Sequence, residues 1–260
     1  MRTLLAVLSL LAATPTQRGG VSITFLANEG VLITDGTRKV LIDALFERYG
    51  PEYATPHDST QRALAAARGR FSNVDVILVT HRHGDHFHPT PMLAHMTANK
   101  RATLATSNQV IDSLTSVQSP RGLNVLRRSM PPGQRQKEVV NGVSIEYLGL
   151  PHTGAARHAG VEHLGYIIEL GGRRILHIGD AATVESHFQP FRLDTARIDV
   201  ALVPSWFATD GKNVIEKWIK PKQVVAFHFA EGDTQNGPRA VQTSVPGAQV
   251  LVKSLETRRY

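Results

Sequence analysis

Val76-Ile77-Leu78-Val79-Thr80-His81-Arg82-His83-Gly84-Asp85-His86 begins as an unbroken apolar run and ends with three histidines and an aspartate inside six residues. The apolar part reads as a strand covered on both faces. After Thr80 the pattern collapses into polar residues and a glycine, so the ladder stops there and the histidines stand at its mouth. Neutral imidazole and carboxylate are donors that suit zinc, iron or manganese, and residues two apart can converge on one ion if the backbone curls. Gly84 permits that curl. Solvated loop histidines, or core histidines satisfied by backbone carbonyls, are the bland alternative, and the order His-x-His-x-Asp-His weighs against it.

Upstream of this stretch, Val21–Phe25, Gly30–Thr34 and Lys39–Asp43 alternate as an antiparallel meander with a turn at Asp35-Gly36. An irregular stretch with Phe46, Tyr49 and Tyr53 follows, and Asp58 or Ser59 is placed to cap a helix running through Arg62 and Ala67 to Gly69. The whole of Phe46–Gly69 either walls a pocket or packs as a surface helix. Downstream, helices are expected over Pro89–Ala98 and Asn108–Val117 with a strand at Ala102–Thr106 between them, an alternation typical of a βαβ layer. Arg121, Arg127, Arg128, Arg135 and Lys137 flank a Pro131-Pro132-Gly133 turn and read as a solvated loop.

Three later strands also stop at a candidate ligand. Val143–Leu150 runs out at His152. The hairpin of Tyr166–Leu170 and Arg173–Ile178, turned at Gly171-Gly172, runs out at Asp180. Gln223–Phe227 runs out at His228. Between the last two, Ile198–Val203 leads to Trp206 and Phe207, and Asn213–Lys220 has helical spacing; the tail gives a short helix and an edge strand near Val250–Val252. Each of His152, Asp180 and His228 alone is weak evidence, a core histidine or a turn residue. Together they form a pattern. Two successive halves of strands followed by helices fit an α/β chain with sheet packed on sheet and helices outside both.

The run Thr80–His86 resembles the signature of the metallo-β-lactamase-fold hydrolase superfamily, and the later His152, Asp180 and His228 resemble the rest of its motifs through most of the chain. The resemblance implies a four-layer αββα sandwich of two mixed sheets with outer helices. It further implies that His81, His83 and His152 hold one metal and Asp85, His86 and His228 a second, with Asp180 bridging them. Two divalent ions, zinc first with manganese or iron as alternatives, would share a hydroxide that attacks an ester, lactone or phosphodiester, and Asp85 would be catalytic, orienting it and passing a proton. Asp43 is expected to support the site rather than ligate. Trp206 and Phe207 would line the substrate pocket or pack in the core. The runs around His81, Asp180, Trp206 and His228 look closest to the ascorbate-phosphate lactonases and N-acyl phospholipid phosphodiesterases. A mononuclear iron persulfide dioxygenase is an alternative, since such enzymes keep these histidines. A β-lactamase-type amide hydrolase is another, but one group of those uses a cysteine that this chain lacks, and another lacks the bridging aspartate.

At 260 residues, with 42% hydrophobic and 20% charged residues, the chain has the composition of a globular protein with a full core. Zero cysteine excludes a disulfide framework and a lipidated N-terminal cysteine. Arg2 and the Leu4–Ala13 run before Pro15 read as a signal peptide over residues 1–19, with the mature domain over 20–260 and export to the periplasm or beyond. A buried N-terminal helix or strand is the competing reading. Ten apolar residues are too few to span a bilayer, so no stable membrane anchor is expected. The net charge of +7 raises nucleic acid as a partner. The basic residues are scattered and lack aromatic interleaving, so a small-molecule substrate is expected instead. Nothing in the chain specifies an oligomeric state.

Overall fold

Val76 and Leu78 point into one buried cluster and Ile77 and Val79 into another, so the central strand is covered on both faces. The same division runs through two sheets. In the computed structural model, which describes residues 19–47 and 52–260, the first sheet contains β1 (Ser22–Ala27), β2 (Gly30–Thr34), β3 (Lys39–Ile42), β4 (Val76–Val79), β5 (Thr103–Thr106) and β6 (Asn124–Arg127). The second contains β7 (Arg135–Val140), β8 (Val143–Gly149), β9 (Leu164–Leu170), β10 (Arg173–His177), β11 (Val200–Pro204), β12 (Gln223–Phe227) and β13 (Gln249–Val250). The C-terminal β14 (Thr257–Arg259) returns to pair antiparallel with β1. Each sheet has an antiparallel meander on one side and parallel strands on the other: β3 to β6 run parallel in the first, β10 to β13 in the second. The expected leader, Leu4–Ala13, lies outside the described residues, as does Tyr49.

The core between the sheets is formed by alternate residues of both, among them Ile23, Ile42, Leu78, Ile145, Tyr166, Leu202 and Phe227. Outside the first sheet, α1 (Asp58–Ala65), α2 (Pro89–Ala98) and α3 (Asn108–Val117) bury Leu64, Met92, Met96, Val110 and Leu114 against Leu41, Ile77 and Leu104. Outside the second, α4 (Glu185–Phe188), α5 (Ser205–Asp210), α6 (Lys212–Val214) and α7 (Asn236–Ser244) bury Phe188, Phe207, Val214 and Val241 against Ile167, Leu176 and Val203. These are the four layers that the sequence motifs imply. Among the described residues, no helix is long and apolar enough to cross a membrane.

The structure departs from the sequence reading in several local features. The basic stretch around Pro131-Pro132-Gly133 is not a solvated loop: Asn124–Arg127 and Arg135–Val140 are edge strands of the two sheets, and the turn carries the chain from one sheet to the other. Edge strands tolerate a polar, charged pattern. Their cations are paired, Arg127 to Asp112 at 2.7 Å, Arg128 to Glu138 at 2.5 Å and Lys137 to Glu169 at 3.0 Å. Helix α1 is capped by His57, whose ring nitrogen accepts from the Ser59 amide, rather than by Asp58 or Ser59, and its last residue is Ala65. The helix expected over Asn213–Lys220 becomes a short α-turn continued by a π-turn at Ile215–Ile219, closed by Lys220 in the left-handed region.

One buried contact prepares the site. The Tyr166 hydroxyl donates to the Val79 carbonyl at 2.6 Å, tying the second sheet to the last residue of β4.

Candidate metal centre

All seven sequence-selected polar side chains meet at one edge of the sandwich, where strands of both sheets end. The first sheet contributes His81, His83, Asp85 and His86 from the loop after β4. The second contributes His152 after β8, Asp180 after β10 and His228 after β12. The loops are locked to each other: the Thr153 amide donates to the Asp180 carbonyl at 2.7 Å, and the His228 amide donates to the Asn28 carbonyl at 3.1 Å. His228 is held at φ 57°, a left-handed conformation that a non-glycine residue keeps only when its surroundings enforce it.

Two donor groups result. His81, His83, His152 and Asp180 form one, and Asp85, His86 and His228 the other. An ion with bonds of about 2.1 Å in a tetrahedral array sets neighbouring donors about 3.4 Å apart. In the first group His81 Nε2 lies 2.8 Å from His83 Nδ1 and 3.2 Å from His152 Nε2, and Asp180 Oδ2 lies 3.5 Å from His152 Nε2. In the second, His86 Nε2 lies 3.4 Å from Asp85 Oδ2 and 3.5 Å from Asp180 Oδ1, and His228 Nε2 lies 3.5 Å from Asp85 Oδ2. Asp180 therefore faces the two groups with different oxygens.

The supporting hydrogen bonds fix which nitrogen of each ring faces inward. The Thr80 hydroxyl donates to Asp43 Oδ2 at 2.6 Å, so its oxygen accepts from His81 Nδ1 and leaves His81 Nε2 as a lone pair. His86 Nδ1 donates to the same Asp43 oxygen at 2.8 Å, leaving Nε2 inward. His152 Nδ1 donates to the Thr153 carbonyl. A carboxylate or carbonyl behind a ligating histidine fixes its tautomer in this way. Asp43 takes the supporting place expected of it.

Electrostatics match that arrangement. Burial lowers the pKa of His81 well below the usual imidazole range, with His86 adding to the effect, and burial followed by His152 lowers that of His83 to about 4. Burial opposes ionisation of Asp85 and Asp180, yet His86 above all holds both carboxyls well below the ordinary range. Neutral rings and ionised carboxylates are the forms that bind metals. At His86 burial disfavours charge, but Asp85, Asp180 and Asp43 pull its pKa well upward, marking a place where positive charge is demanded. Among the described residues, His86 Nε2, His228 Nε2 and Asp180 Oδ1 are buried with no hydrogen-bond partner. Such groups are costly unless something compensates them, and the chemistry of this donor set fits metal cations.

Trp206 stands over the site, its ring centroid 4.7 Å from that of His228, and Tyr53 flanks the same ring at 5.0 Å. Phe207, expected to line the pocket with Trp206, is instead fully buried against Phe188 in the helix layer, because successive residues of a helix such as α5 are turned about 100° from one another. Of the Phe46–Gly69 stretch, Tyr53 lines the mouth, together with Arg157 and His158, whereas Leu64 of α1 packs in the outer core. Beside the mouth, and sharing His152, Thr153 and His158 with it, lies a cavity of about 650 Å³ walled by Met130, Pro131, Leu150, Val161 and Val184.

Sequence reading overlooked two neighbours of the second group. Asn28 Nδ2 donates to both Asp85 Oδ2 and the Asp85 carbonyl at 3.1 Å. Glu29, next to it, is fully buried. A polar pair inside an otherwise apolar hairpin was the available signal. His177 is satisfied on both nitrogens, accepting from the Gly179 amide and donating to the Glu29 carbonyl, and His163 Nδ1 donates to the Leu150 carbonyl.

Known proteins resemble this chain along most of its length. The chain is 27% identical over 257 residues to a protein described as a UPF0173 metal-dependent hydrolase from Polaromonas, covering 91% of this chain and 90% of that one. It is 26% identical over 217 residues to a protein of the same description from Thermus thermophilus, covering 80% and 84%. Among solved structures it resembles Igni18, a metallo hydrolase from Ignicoccus hospitalis, with a TM-score of 0.63 at 19% identity over 93% of this chain and 98% of that one. It also resembles a possible metal-dependent hydrolase from Veillonella parvula, with a TM-score of 0.66 at 17% identity over 92% and 99%. Residues 38–251 match the family model described as the Beta-lactamase superfamily domain, and with this span, these two sheets and this edge site, the chain belongs to the metallo-β-lactamase-fold superfamily.

Proposed function

We propose that the protein is a metal-dependent hydrolase with a binuclear site, acting on an ester, lactone or phosphodiester of a small molecule. The observation that carries this reading is the position of Asp180, with one oxygen toward His152 and the other toward His86 and His228. His81, His83 and His152 would hold one ion, and Asp85, His86 and His228 the other, with Asp180 shared. Two such ions would lower the pKa of a water between them and polarise the oxygen under attack.

The chain's own groups support the remaining tasks. Asp85 is anchored by Asn28, so it would orient the attacking water and could pass a proton to a leaving oxygen. Trp206 and Tyr53 restrict access to the second donor group, and Arg157 at the rim supplies a cation for an anionic substituent. The adjoining cavity, mostly apolar in its walls, would take a hydrocarbon portion of the substrate.

The test combines elemental analysis of the purified protein with a screen of ester, lactone and phosphodiester substrates. Two equivalents of metal and turnover of one of these classes are expected. A single iron, oxygen consumption with a persulfide and no hydrolysis would replace this reading with a dioxygenase.

A further inference from the structure

Glu29 sits at the tip of the β1–β2 hairpin with 0% of its surface exposed, and among the described residues neither side-chain oxygen has a hydrogen-bond partner. Among the described residues its one ion-pair contact is His86 Nδ1 at 3.9 Å, and that nitrogen already donates to Asp43 at 2.8 Å. A buried ionised carboxylate without a donor or a cation is strongly disfavoured, so Glu29 either stays protonated or takes a cation as its partner.

Two groupings include this carboxylate: Glu29 with Asp43 and His177, and Glu29 with Asp180 and His228. The first is closed. Asp43 accepts from the Thr80 amide, the Thr80 hydroxyl and His86, and both nitrogens of His177 are used. The second is open, since Asp180 Oδ1 and His228 Nε2 are also buried and have no hydrogen-bond partner among the described residues. The hairpin tip is bolted to the same place on both sides, by Asn28 Nδ2 to Asp85 and by the His228 amide to the Asn28 carbonyl. Gly30 leaves no slack, because a Cβ there would lie 2.9 Å from the Asp43 carbonyl oxygen and 3.0 Å from that of Ala27.

We propose that Glu29 is an additional ligand of the second metal, joining Asp85, His86, His228 and the shared Asp180. The inference rests on the binuclear reading above. It makes the two sites chemically unequal: the first has three imidazoles and one carboxylate, the second two imidazoles and three carboxylates. A donor set that rich in oxygen and that numerous favours manganese or ferrous iron over four-coordinate zinc. The second site therefore selects a harder ion than the first.

The experiment compares wild type, Glu29→Gln and His228→Ala after metal removal and reloading with manganese or zinc, reading stoichiometry by elemental analysis and each site's affinity by chelator competition. Glu29→Gln keeps shape and hydrogen-bonding capacity while removing the charge. It should weaken manganese at the second site about 10- to 100-fold and zinc less, with the first site unchanged. His228→Ala marks the loss of the second ion by an independent ligand. Cobalt loaded into the second site adds a spectroscopic readout, since its visible absorption is weak at high coordination number and should intensify in Glu29→Gln. Wild-type protein binding two ions, with Glu29→Gln unchanged in affinity, metal preference and cobalt spectrum, overturns the Glu29 assignment alone. Wild-type protein that binds a single ion overturns the binuclear reading and the assignment with it.

Discussion

Replacing Asp43 by asparagine tests the hydrogen-bond logic behind the site without touching any proposed ligand. Asp43 has φ 46°, a conformation that asparagine adopts readily, so the substitution adds little backbone strain. Oδ1 would still accept from the Thr80 amide at 2.8 Å. The new amide nitrogen, however, would face two groups that now donate to Oδ2, the Thr80 hydroxyl at 2.6 Å and His86 Nδ1 at 2.8 Å. To accept from that amide, His86 must move its proton to Nε2, the nitrogen aimed at the second donor group. A protonated Nε2 cannot ligate. His81 keeps its acceptor, because the Thr80 oxygen has a second lone pair.

Loss of a supporting partner of this kind typically lowers metal affinity about 10- to 100-fold, or about 1.4 to 2.7 kcal/mol. The second site should show that loss, and the first site much less. Chelator competition on the reloaded variant measures both affinities, and a cooperative thermal melt of the metal-free protein checks that the fold is intact. Equal weakening of both sites, or of neither, would refute the tautomer argument.

Acid should destabilise the metal-free protein through His163, whose pKa is lowered to about 3 by burial first and His152 next. A depressed histidine contributes full stability above the unfolded value of about 6.5 and loses it as pH falls toward 3, so about 3 kcal/mol should be gone by pH 4 from this residue. Urea unfolding from pH 7 to 4 should be less pH-dependent in His163→Gln, and an unchanged slope would contradict the assignment. Gly149→Ala places a Cβ 2.1 Å from the Pro131 carbonyl oxygen and 2.5 Å from that of Met130, both backbone, and should cost about 2 kcal/mol or more. Gly160→Ala, with no atom within 4 Å of the new Cβ, is the control, and similar melting temperatures for the two would show that the crossing between the sheets can give way. Export is expected from the first 19 residues, and N-terminal sequencing from the native host should find them removed; Met1 retained in a cytosolic fraction would end that proposal.

The fold was legible wherever burial is two-sided. Val76–Val79, Gln223–Phe227 and the Gly171-Gly172 hairpin carry apolar runs with clear stops, and the structure places strands there. Legibility failed at the edges. Asn124–Arg127, Arg135–Val140 and Thr257–Arg259 are strands because neighbouring strands offer them hydrogen bonds, while most of their side chains are exposed or half-buried and record no clear apolar period. The π-turn at Ile215–Ile219 closes its hydrogen bonds one residue later than an α-turn does, and over a single turn that difference leaves no mark in the apolar pattern. Phe207 and Trp206 show a further limit: both follow a strand end, and the helical rotation between neighbours sends one into the core and the other over the site.

The candidate site divides along the same line. His81, His83 and His86 are adjacent in sequence and announce themselves; Glu29 and Asn28 do not, because they reach the site from a hairpin more than 50 residues earlier. What brings them there is the pairing of β1 with β2 and of β3 with β4, which sets the hairpin tip beside the loop after β4. The core between the sheets is continuous beneath this edge, with Leu78 of β4 and Phe227 of β12 in one cluster. The sheets are thus docked by apolar packing before any ion is needed, and the donors from both arrive in register. A site assembled in this way can concentrate three buried carboxylates and a fourth behind them, because the stability that their repulsion costs is supplied elsewhere, by the packed sheets, and is recovered when cations bind.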